Sequence, residues 1–135
     1  MFEADLNRAI NIALGGNVLG SLEFFAIARR AADDEFDQAH ADDLCAHFLM
    51  QVGRYEQSLA YLDLARMGYE VAGHLRLAAT CSETLGDALF ALGHVSDAAI
   101  AYAVAIDVYN VECLFGAGAG CRTKLLELQL SEIDG

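Results

Sequence analysis

The chain contains no proline, a single lysine and no long uninterrupted run of apolar residues. Because proline is the strongest helix breaker, its absence means that helices must end at glycine or at acidic and polar residues. No segment reaches the ~20 consecutive apolar residues that a membrane-spanning helix needs, so no membrane association is expected. Met1–Asp5 also lacks the cationic region and apolar core of a secretory signal peptide, which predicts a cytoplasmic location.

Basic residues are scarce as well. Eight Lys and Arg residues stand against 20 Asp and Glu residues, which gives a formal net charge of −12. Non-specific binding of nucleic acid depends on Lys and Arg, so a nucleic-acid partner is not expected. Apolar residues, in contrast, make up 56% of the 135 positions. That fraction excludes a disordered acidic tail, and the length suits one domain with its own core.

The four cysteines, Cys45, Cys81, Cys113 and Cys121, form no C-x-x-C pair and lie within apolar helical patterns. A disulfide framework is typical of small secreted domains that cannot build a sufficient core. This chain has no signal peptide and enough apolar residues for a core. We therefore expect buried free thiols.

Apolar residues recur with helical periodicity along almost the whole chain, and no segment alternates for long enough to indicate a strand. In Glu56–Met67, for example, Leu59 and Leu62 lie on one helix face. Breaks at glycine, asparagine and acidic clusters divide the chain into about seven predicted helices. The predicted breaks are Gly15–Asn17, Asp33–Glu35, Gly53, Gly68, Gly93 and Asn110.

An internal repeat is the strongest pattern in the sequence, and it is anchored on Gly16, Gly53 and Gly93. Relative to each anchor, positions −7 and +5 hold small residues, −4 an aliphatic residue, +9 a large apolar residue and +12 alanine. Each copy is predicted to form two antiparallel helices joined at the anchor glycine. The matching residues are Ala9, Ile12, Ser21, Phe25 and Ala28, then Ala46, Leu49, Ser58, Leu62 and Ala65, then Gly86, Leu89, Ala98, Tyr102 and Ala105.

This layout resembles the tetratricopeptide repeat (TPR). The third copy, above all Leu85–Gly93, looks like the family consensus, and the second copy resembles it through Gly53–Tyr55. Two features depart from the family pattern. The spacing from one anchor to the next is 37 and then 40, whereas ~34 is usual, and the proline that commonly ends the second helix is absent.

The resemblance implies an all-α fold: a right-handed α-solenoid of about three TPR-like helix pairs plus a C-terminal capping helix, in one domain over residues 1–135. The predicted bounds are 2–32, 36–69 and 72–109 for the three repeats and 111–132 for the capping helix. A chain that is part of a longer array is the alternative explanation for the unpaired last helix.

Few residues suggest chemistry. His40, Asp43 and His47 have metal-ligand composition and share one helix face, but no tetrahedral zinc spacing is present. Metal binding is therefore kept only as an alternative, and no cofactor is expected. Gly116–Gly120 lacks the context of a phosphate-binding loop, so close helix packing or a kink is predicted there, in the least regular helix. Without a nucleophile elbow or a thiol facing a base, no enzyme activity is expected.

If the resemblance holds, the first helix of each pair lines a concave binding surface. Family members that grip a C-terminal carboxylate use basic and amide residues there, whereas Asp43, Glu83 and Asp87 would repel one. The expected partner is an amphipathic or basic protein segment, such as an apolar or basic helix. The resemblance implies a partner-binding groove of Leu6, Ile10, His40, Asp43, His47, Met50, Glu83, Asp87 and Phe90, with Glu3, Ala13, Leu14, Gln51, Thr80 and Ala91 beside them.

Small acidic proteins made only of such repeats are similar to bacterial type III secretion chaperones, and Met50–Leu59 carries part of that resemblance. It implies a protein-interaction scaffold that sequesters an apolar helix before export. The alternative is a TPR interaction module, or adaptor, of a larger regulatory protein. Self-association through Leu6, Ile10 and Leu14, as a homo-oligomer, is a further hypothesis.

Overall fold

The computed structural model describes residues 1–134, which form seven α-helices and no strand. Each helix packs mainly against the helices before and after it in the chain, so the helices stack as a solenoid. The predicted all-α solenoid is confirmed. The helices are α1 Phe2–Leu14, α2 Val18–Ala31, α3 Glu35–Gln51, α4 Tyr55–Val71, α5 Leu75–Ala91, α6 Val95–Val111 and α7 Phe115–Asp134.

From α3 onward the helices begin at a constant interval, at residues 35, 55, 75, 95 and 115, and one type of turn joins them. Gly53, Gly73 and Gly93 have φ angles of 80°, 82° and 81° in three of these turns. The fourth turn holds Cys113, with φ of 58°. Glycine suits this left-handed position because it has no Cβ, and the bond from His74 N to Tyr69 O (2.8 Å) is typical of a Schellman motif.

Two helix starts were predictable from capping residues. The Asn17 side chain accepts a hydrogen bond from the backbone N–H of Gly20 at 2.9 Å, and α2 begins after it. The Asp34 side chain does the same for Asp37 at 2.9 Å at the start of α3. Both caps satisfy a backbone donor of the first turn. The predicted breaks at these two clusters are confirmed.

The predicted breaks at Gly68 and Asn110 are wrong, and a break at Gly73 was not predicted. Gly68 lies inside α4, where a Cβ would stand 2.9 Å from the Cβ of Ala39 in α3. It is therefore a packing glycine that lets two helices approach closely. Asn110 lies inside α6, and the turn comes further along the chain, at Cys113.

The last helix, α7, begins at Phe115 rather than at the predicted residue 111. It continues without interruption through Gly116–Gly120, so the predicted irregularity is not observed. Gly118 is buried, and a Cβ there would lie 3.5 Å from the Cβ of Tyr109. This contact favours the other predicted role of the glycines, close packing of α7 on α6.

The repeat positions build the core. In all three copies, the residues at positions +5, +9 and +12 from the anchor glycine are buried. The sizes of two facing side chains are complementary in each copy. In the third copy, a Cβ on Gly86 would lie 2.5 Å from the ring of Tyr102. In the second copy, the equivalent positions hold Ala46 and Leu62, which belong to one cluster. The smallest residue thus faces the largest side chain.

Among consecutive helices, packing is least extensive between α2 and α3. The rings of Phe25 and Phe48 lie 6.5 Å apart across this junction, and Arg29 Nε donates to Asp42 Oδ2 at 3.0 Å. Burial raises the pKa of the Asp42 carboxyl, and the hydrogen bond from Arg29 offsets part of that rise. This aromatic pair and this ion pair add to the buried cluster that joins the first helix pair to α3 through Ala28, Ala41 and Cys45.

All four cysteines are free thiols, and Cys45, Cys81 and Cys121 are buried as predicted. Burial raises the pKa of Cys45 to about 12 and that of Cys121 to about 11. The prediction is wrong for Cys113, which is exposed because it occupies a turn rather than a helix face. Within residues 1–134, every helix is too short or too polar to span a bilayer.

Candidate partner-binding surface

Two cavities lie where α1 faces α3, a surface that we call the α1–α3 seam. The N-terminal parts of both helices line one cavity and their C-terminal parts line the other, so the two helices run in the same direction. Glu3 lines the first cavity and Ala13 lines the second. At a rise of 1.5 Å per residue, these two residues lie roughly 15 Å apart along α1, which gives the separation of the two cavities.

The first cavity, of about 770 Å³, is acidic. Glu3, Asp33 and Asp37 line it, and none of them forms an ion pair with another described side chain. Glu3 and Asp37 belong to the first turns of their helices, where the helix dipole favours a negative charge. The cavity is lined by Met1, Phe2, Glu3, Leu6, Ala31, Asp33, Asp37 and His40.

The second cavity, of about 390 Å³, is mostly apolar. Leu14 at its rim is 80% exposed and Val52 is 43% exposed, which are high fractions for aliphatic side chains beside a cavity. Polar side chains come only from His47 and Gln51. The lining consists of Ile10, Ala13, Leu14, Phe25, Leu44, His47, Phe48, Gln51 and Val52.

In the middle of α3, Asp43 accepts two hydrogen bonds. Its Oδ1 lies 3.1 Å from His47 Nε2, and its Oδ2 accepts a hydrogen bond from the hydroxyl of Tyr69 at 3.1 Å. The hydrogen bond to Asp43 raises the pKa of His47, against the opposing effect of burial. The same bond recurs in the next copy of the repeat, where the Tyr109 hydroxyl donates to Glu83 Oε1 at 3.0 Å. The repeat therefore includes an acid–tyrosine pair as well as apolar positions.

Where α5 faces α7, the α5–α7 seam, the two acids of α5 share one lysine of the same chain. Lys124 Nζ of α7 lies 2.7 Å from Glu83 Oε2 and 3.1 Å from Asp87 Oδ2. The Tyr102 hydroxyl also donates to Asp87 Oδ1 at 2.7 Å. Burial lowers the pKa of Lys124, but its bonds to the two acids outweigh burial and hold that pKa above its usual value.

The cavity in the α5–α7 seam is correspondingly small, about 220 Å³. Lys124 itself lines it, next to Phe90, which is 46% exposed. The only lysine of the chain thus occupies the position that a cationic partner residue would need at Glu83 and Asp87.

The predicted groove residues are distributed between these places. Leu6 is only 7% exposed and belongs to the core, so it presents little surface for the predicted self-association. Met50 is half-buried and packs against the cluster around Ala46, Leu62 and Ala88. Leu6 and His40 line the acidic cavity, Ile10 and His47 the apolar cavity, and Asp87 and Phe90 the small cavity, while Asp43 and Glu83 form the pairs described above.

The three candidate metal ligands do not converge. His40 stacks on Phe36, with ring centroids 6.4 Å apart, while Asp43 pairs with His47. Among the residues that the structure describes, no group of three His, Cys, Asp or Glu side chains is arranged to hold a metal ion.

Sequence reasoning missed the residues that complete the site: Asp33, Asp37, the tyrosines and Lys124. A signal for the tyrosines was available, because Tyr69 and Tyr109 have the same spacing in the chain as Asp43 and Glu83. No comparable signal exists for Lys124, because the positions 40 and 80 residues before it hold Thr84 and Leu44, which carry no charge.

No family model matches the chain, and no curated protein matches it either. Solved structures do match. A point variant of a Podosopora anserina putative kinesin light chain with nearly identical TPR-like repeats superimposes with a TM-score of 0.71 at 11% identity, over 96% of this chain and 66% of that chain. Another structure of that protein gives 0.68 at 11% identity, over 93% and 64%.

BtubC (BKLC) from P. vanneervenii gives a TM-score of 0.64 at 13% identity, over 97% of this chain and 64% of that chain. This chain therefore spans slightly less than two thirds of each of these structures. At such low identities the likeness shows the fold alone. The chain has a TPR-like helical repeat fold.

Proposed function

We propose that this protein is a protein-interaction scaffold that binds an amphipathic or basic segment of a partner protein on the surface formed by α1, α3 and α5. The observation that carries the proposal is the α1–α3 seam, where acids that form no ion pair with a described side chain lie beside an apolar cavity. The seam offers what such a segment requires: carboxylates for its basic residues and apolar surface for its aliphatic ones. Stacked helical repeats commonly use such extended surfaces for binding.

A binding role accounts for the site better than catalysis does. The buried thiols of Cys45 and Cys121 have raised pKa values, about 12 and about 11, and so remain protonated and poorly nucleophilic near neutral pH. His47, whose pKa is raised by Asp43, lies beside an apolar cavity that contains neither of these two thiols. No nucleophile and base are paired among these residues.

The proposal is tested by capturing a partner on the tagged chain in cells of its source and then reconstituting the complex from two purified proteins. The bound region of the partner is narrowed to a synthetic peptide, and its affinity is measured by calorimetry. We expect a one-to-one complex that survives changes at exposed residues away from the seam, such as Asp107→Asn in α6. Failure of every captured protein to bind directly in purified form contradicts a scaffold role.

Two narrower forms of this function differ in the partner. In a type III secretion chaperone, the bound segment would be an apolar helix of an exported subunit, and deletion of the gene would reduce the secretion of that subunit. In a module of a larger regulatory protein, the partner would bind regardless of export.

A further inference from the structure

The two seams lie on the same side of the solenoid and both contain acids, although at different positions of the repeat and with different partners. Glu3, Asp33 and Asp37 are free of ion pairs to described side chains, whereas Glu83 and Asp87 share Lys124. The cavities differ accordingly, at about 770 and 390 Å³ in the α1–α3 seam against about 220 Å³ in the α5–α7 seam. The chain thus fills one acidic site with its own cation and leaves the other open.

Lys124 shows which chemistry fits an acidic site of this surface. It arrives on a helix, α7, whose apolar residue Leu128 is buried in the core cluster beside Tyr102. Helix α7 therefore combines a lysine bonded to two acids with an apolar side chain one turn further on. Lys124 thus shows that a cation carried by a helix fits between acids of this surface, next to a buried apolar side chain of the same helix.

From this arrangement we infer that the α1–α3 seam holds one amphipathic helix of a partner protein, with its cationic residues in the acidic cavity and its aliphatic residues in the apolar cavity. This inference rests on the proposed function and specifies where the segment binds and how it is oriented. The separation of roughly 15 Å between the cavities corresponds to about ten residues of helix.

A helix fits this seam better than an extended strand does. The backbone groups of α1 and α3 are bonded within their own helices, so the seam has no free edge for strand pairing. Only His47 and Gln51 offer polar side chains to a backbone in the apolar cavity. An extended segment would leave its N–H and C=O groups without partners there, whereas a helix satisfies its own.

The inference also explains why the α5–α7 seam is not a second site for the same segment. A cationic partner residue would have to displace Lys124 from Glu83 and Asp87, where the hydroxyls of Tyr109 and Tyr102 hold the two carboxylates. We therefore expect one bound helix per chain.

The test uses the full chain and a panel of synthetic amphipathic helices, acetylated and amidated at their ends. Each parent peptide carries two arginines and three leucines centred ten positions apart, in both orders along the peptide. In one control peptide, the arginines and the leucines are centred three positions apart. In a second control peptide, which contains proline between the two groups and is extended, they are four residues apart. Affinity and stoichiometry are measured by isothermal titration calorimetry.

Variants on the two seams form the matched pair. The variant Glu3→Gln/Asp33→Asn/Asp37→Asn neutralises the open acids, and Glu83→Gln/Asp87→Asn neutralises the paired ones. We expect the first to weaken the binding of the ten-position peptide about tenfold and the second to leave it within about twofold. Leu14→Ser, at an exposed position, should weaken binding by about tenfold as well. Circular dichroism checks that each variant keeps its helical content.

Tight binding of the ten-position peptide, in one order, with these variant effects supports the inference. Binding that depends on Glu83 and Asp87, or that prefers the three-position or extended peptide, overturns it while leaving a scaffold function intact. If no peptide binds, the seam is not a site for a cationic helix, and the inference is overturned. The proposed scaffold function is then decided separately, by whether a captured partner binds this chain directly when both are purified.

Discussion

The two seams of this small solenoid are formed by corresponding helices of the repeat, yet their acids lie at different positions and differ in their partners. In the α5–α7 seam, both acids of α5 have partners: Lys124 bridges Glu83 and Asp87, and two tyrosine hydroxyls complete the network. In the α1–α3 seam, three acids line a large cavity without an ion pair to a described side chain. The difference teaches that net charge alone does not locate a binding surface, because some acids are already paired within the chain.

The connection of the first helix pair can be broken most strongly at Phe25, which is buried where α2 meets α3. Phe25→Ala should lower the free energy of unfolding by about 3–5 kcal/mol, because it leaves a cavity at the least extensive helix junction. Urea denaturation measures the change. Leu126→Ala is the control, since Leu126 is exposed on α7 and its loss should cost less than about 0.5 kcal/mol. Equal costs for both variants would contradict a dependence of this junction on Phe25.

The tight packing of the third helix pair can be tested at Gly86. Gly86→Ala should cost about 1–3 kcal/mol, because the added Cβ would overlap the ring of Tyr102. Combining it with Tyr102→Leu recreates the Ala46 and Leu62 pair of the preceding repeat and should recover part of that loss. A double-mutant cycle with urea denaturation measures the coupling. Purely additive effects would show that the two positions do not share the space.

The ion pairs of the α5–α7 seam are tested by Lys124→Met, with Arg122→Met as a control of equal charge change. Arg122 lies on the same helix and forms no ion pair with a described side chain. Because Lys124 is partly exposed, its loss should cost about 1 kcal/mol or less, and the control should cost less than that. A larger loss for Arg122→Met would contradict a closed seam held by Lys124.

The same variant predicts a dependence on pH. Because the pKa of Lys124 is raised in the folded state, its contribution is fully present below its ordinary pKa of 10.5 and is lost as pH rises through the folded value. The difference in unfolding free energy between the wild type and Lys124→Met should therefore be constant near neutral pH and shrink only in strongly alkaline solution. Denaturation at a series of pH values checks this.

The smallest effect is expected at the turn before α7. Cys113 holds the positive φ that glycine adopts in the three preceding turns, so Cys113→Gly should raise the free energy of unfolding by up to about 1 kcal/mol. The reverse change in an equivalent turn, Gly93→Cys, should lower it by a similar amount. Thermal denaturation of both variants gives the comparison. Destabilisation by Cys113→Gly would mean that the thiol makes a contribution that outweighs the backbone strain.

Much of the fold could be predicted from the sequence, because small and large residues repeat at fixed distances from Gly16, Gly53 and Gly93. Helix ends were harder to predict. In the sequence Gly68 looks like a helix break, but it allows close packing of two helices, and only its contact with Ala39 of α3 in the structure shows this. For the site, the repeat predicts which faces of α1, α3 and α5 share one side, and Ile10 and His47 line the apolar cavity there; their part in binding stays a prediction. Pairing across non-adjacent helices, as between Lys124 and Glu83, could not be read from any periodicity.

The most direct test of the difference between the two seams is hydrogen exchange on the full chain with and without the ten-position cationic helix. The backbone amides of α1 and α3 should exchange more slowly in the complex, and those of α5 and α7 should be unchanged. Slower exchange in α5 and α7 without slower exchange in α1 would contradict the account, because the peptide would then bind at the α5–α7 seam and not at the α1–α3 seam.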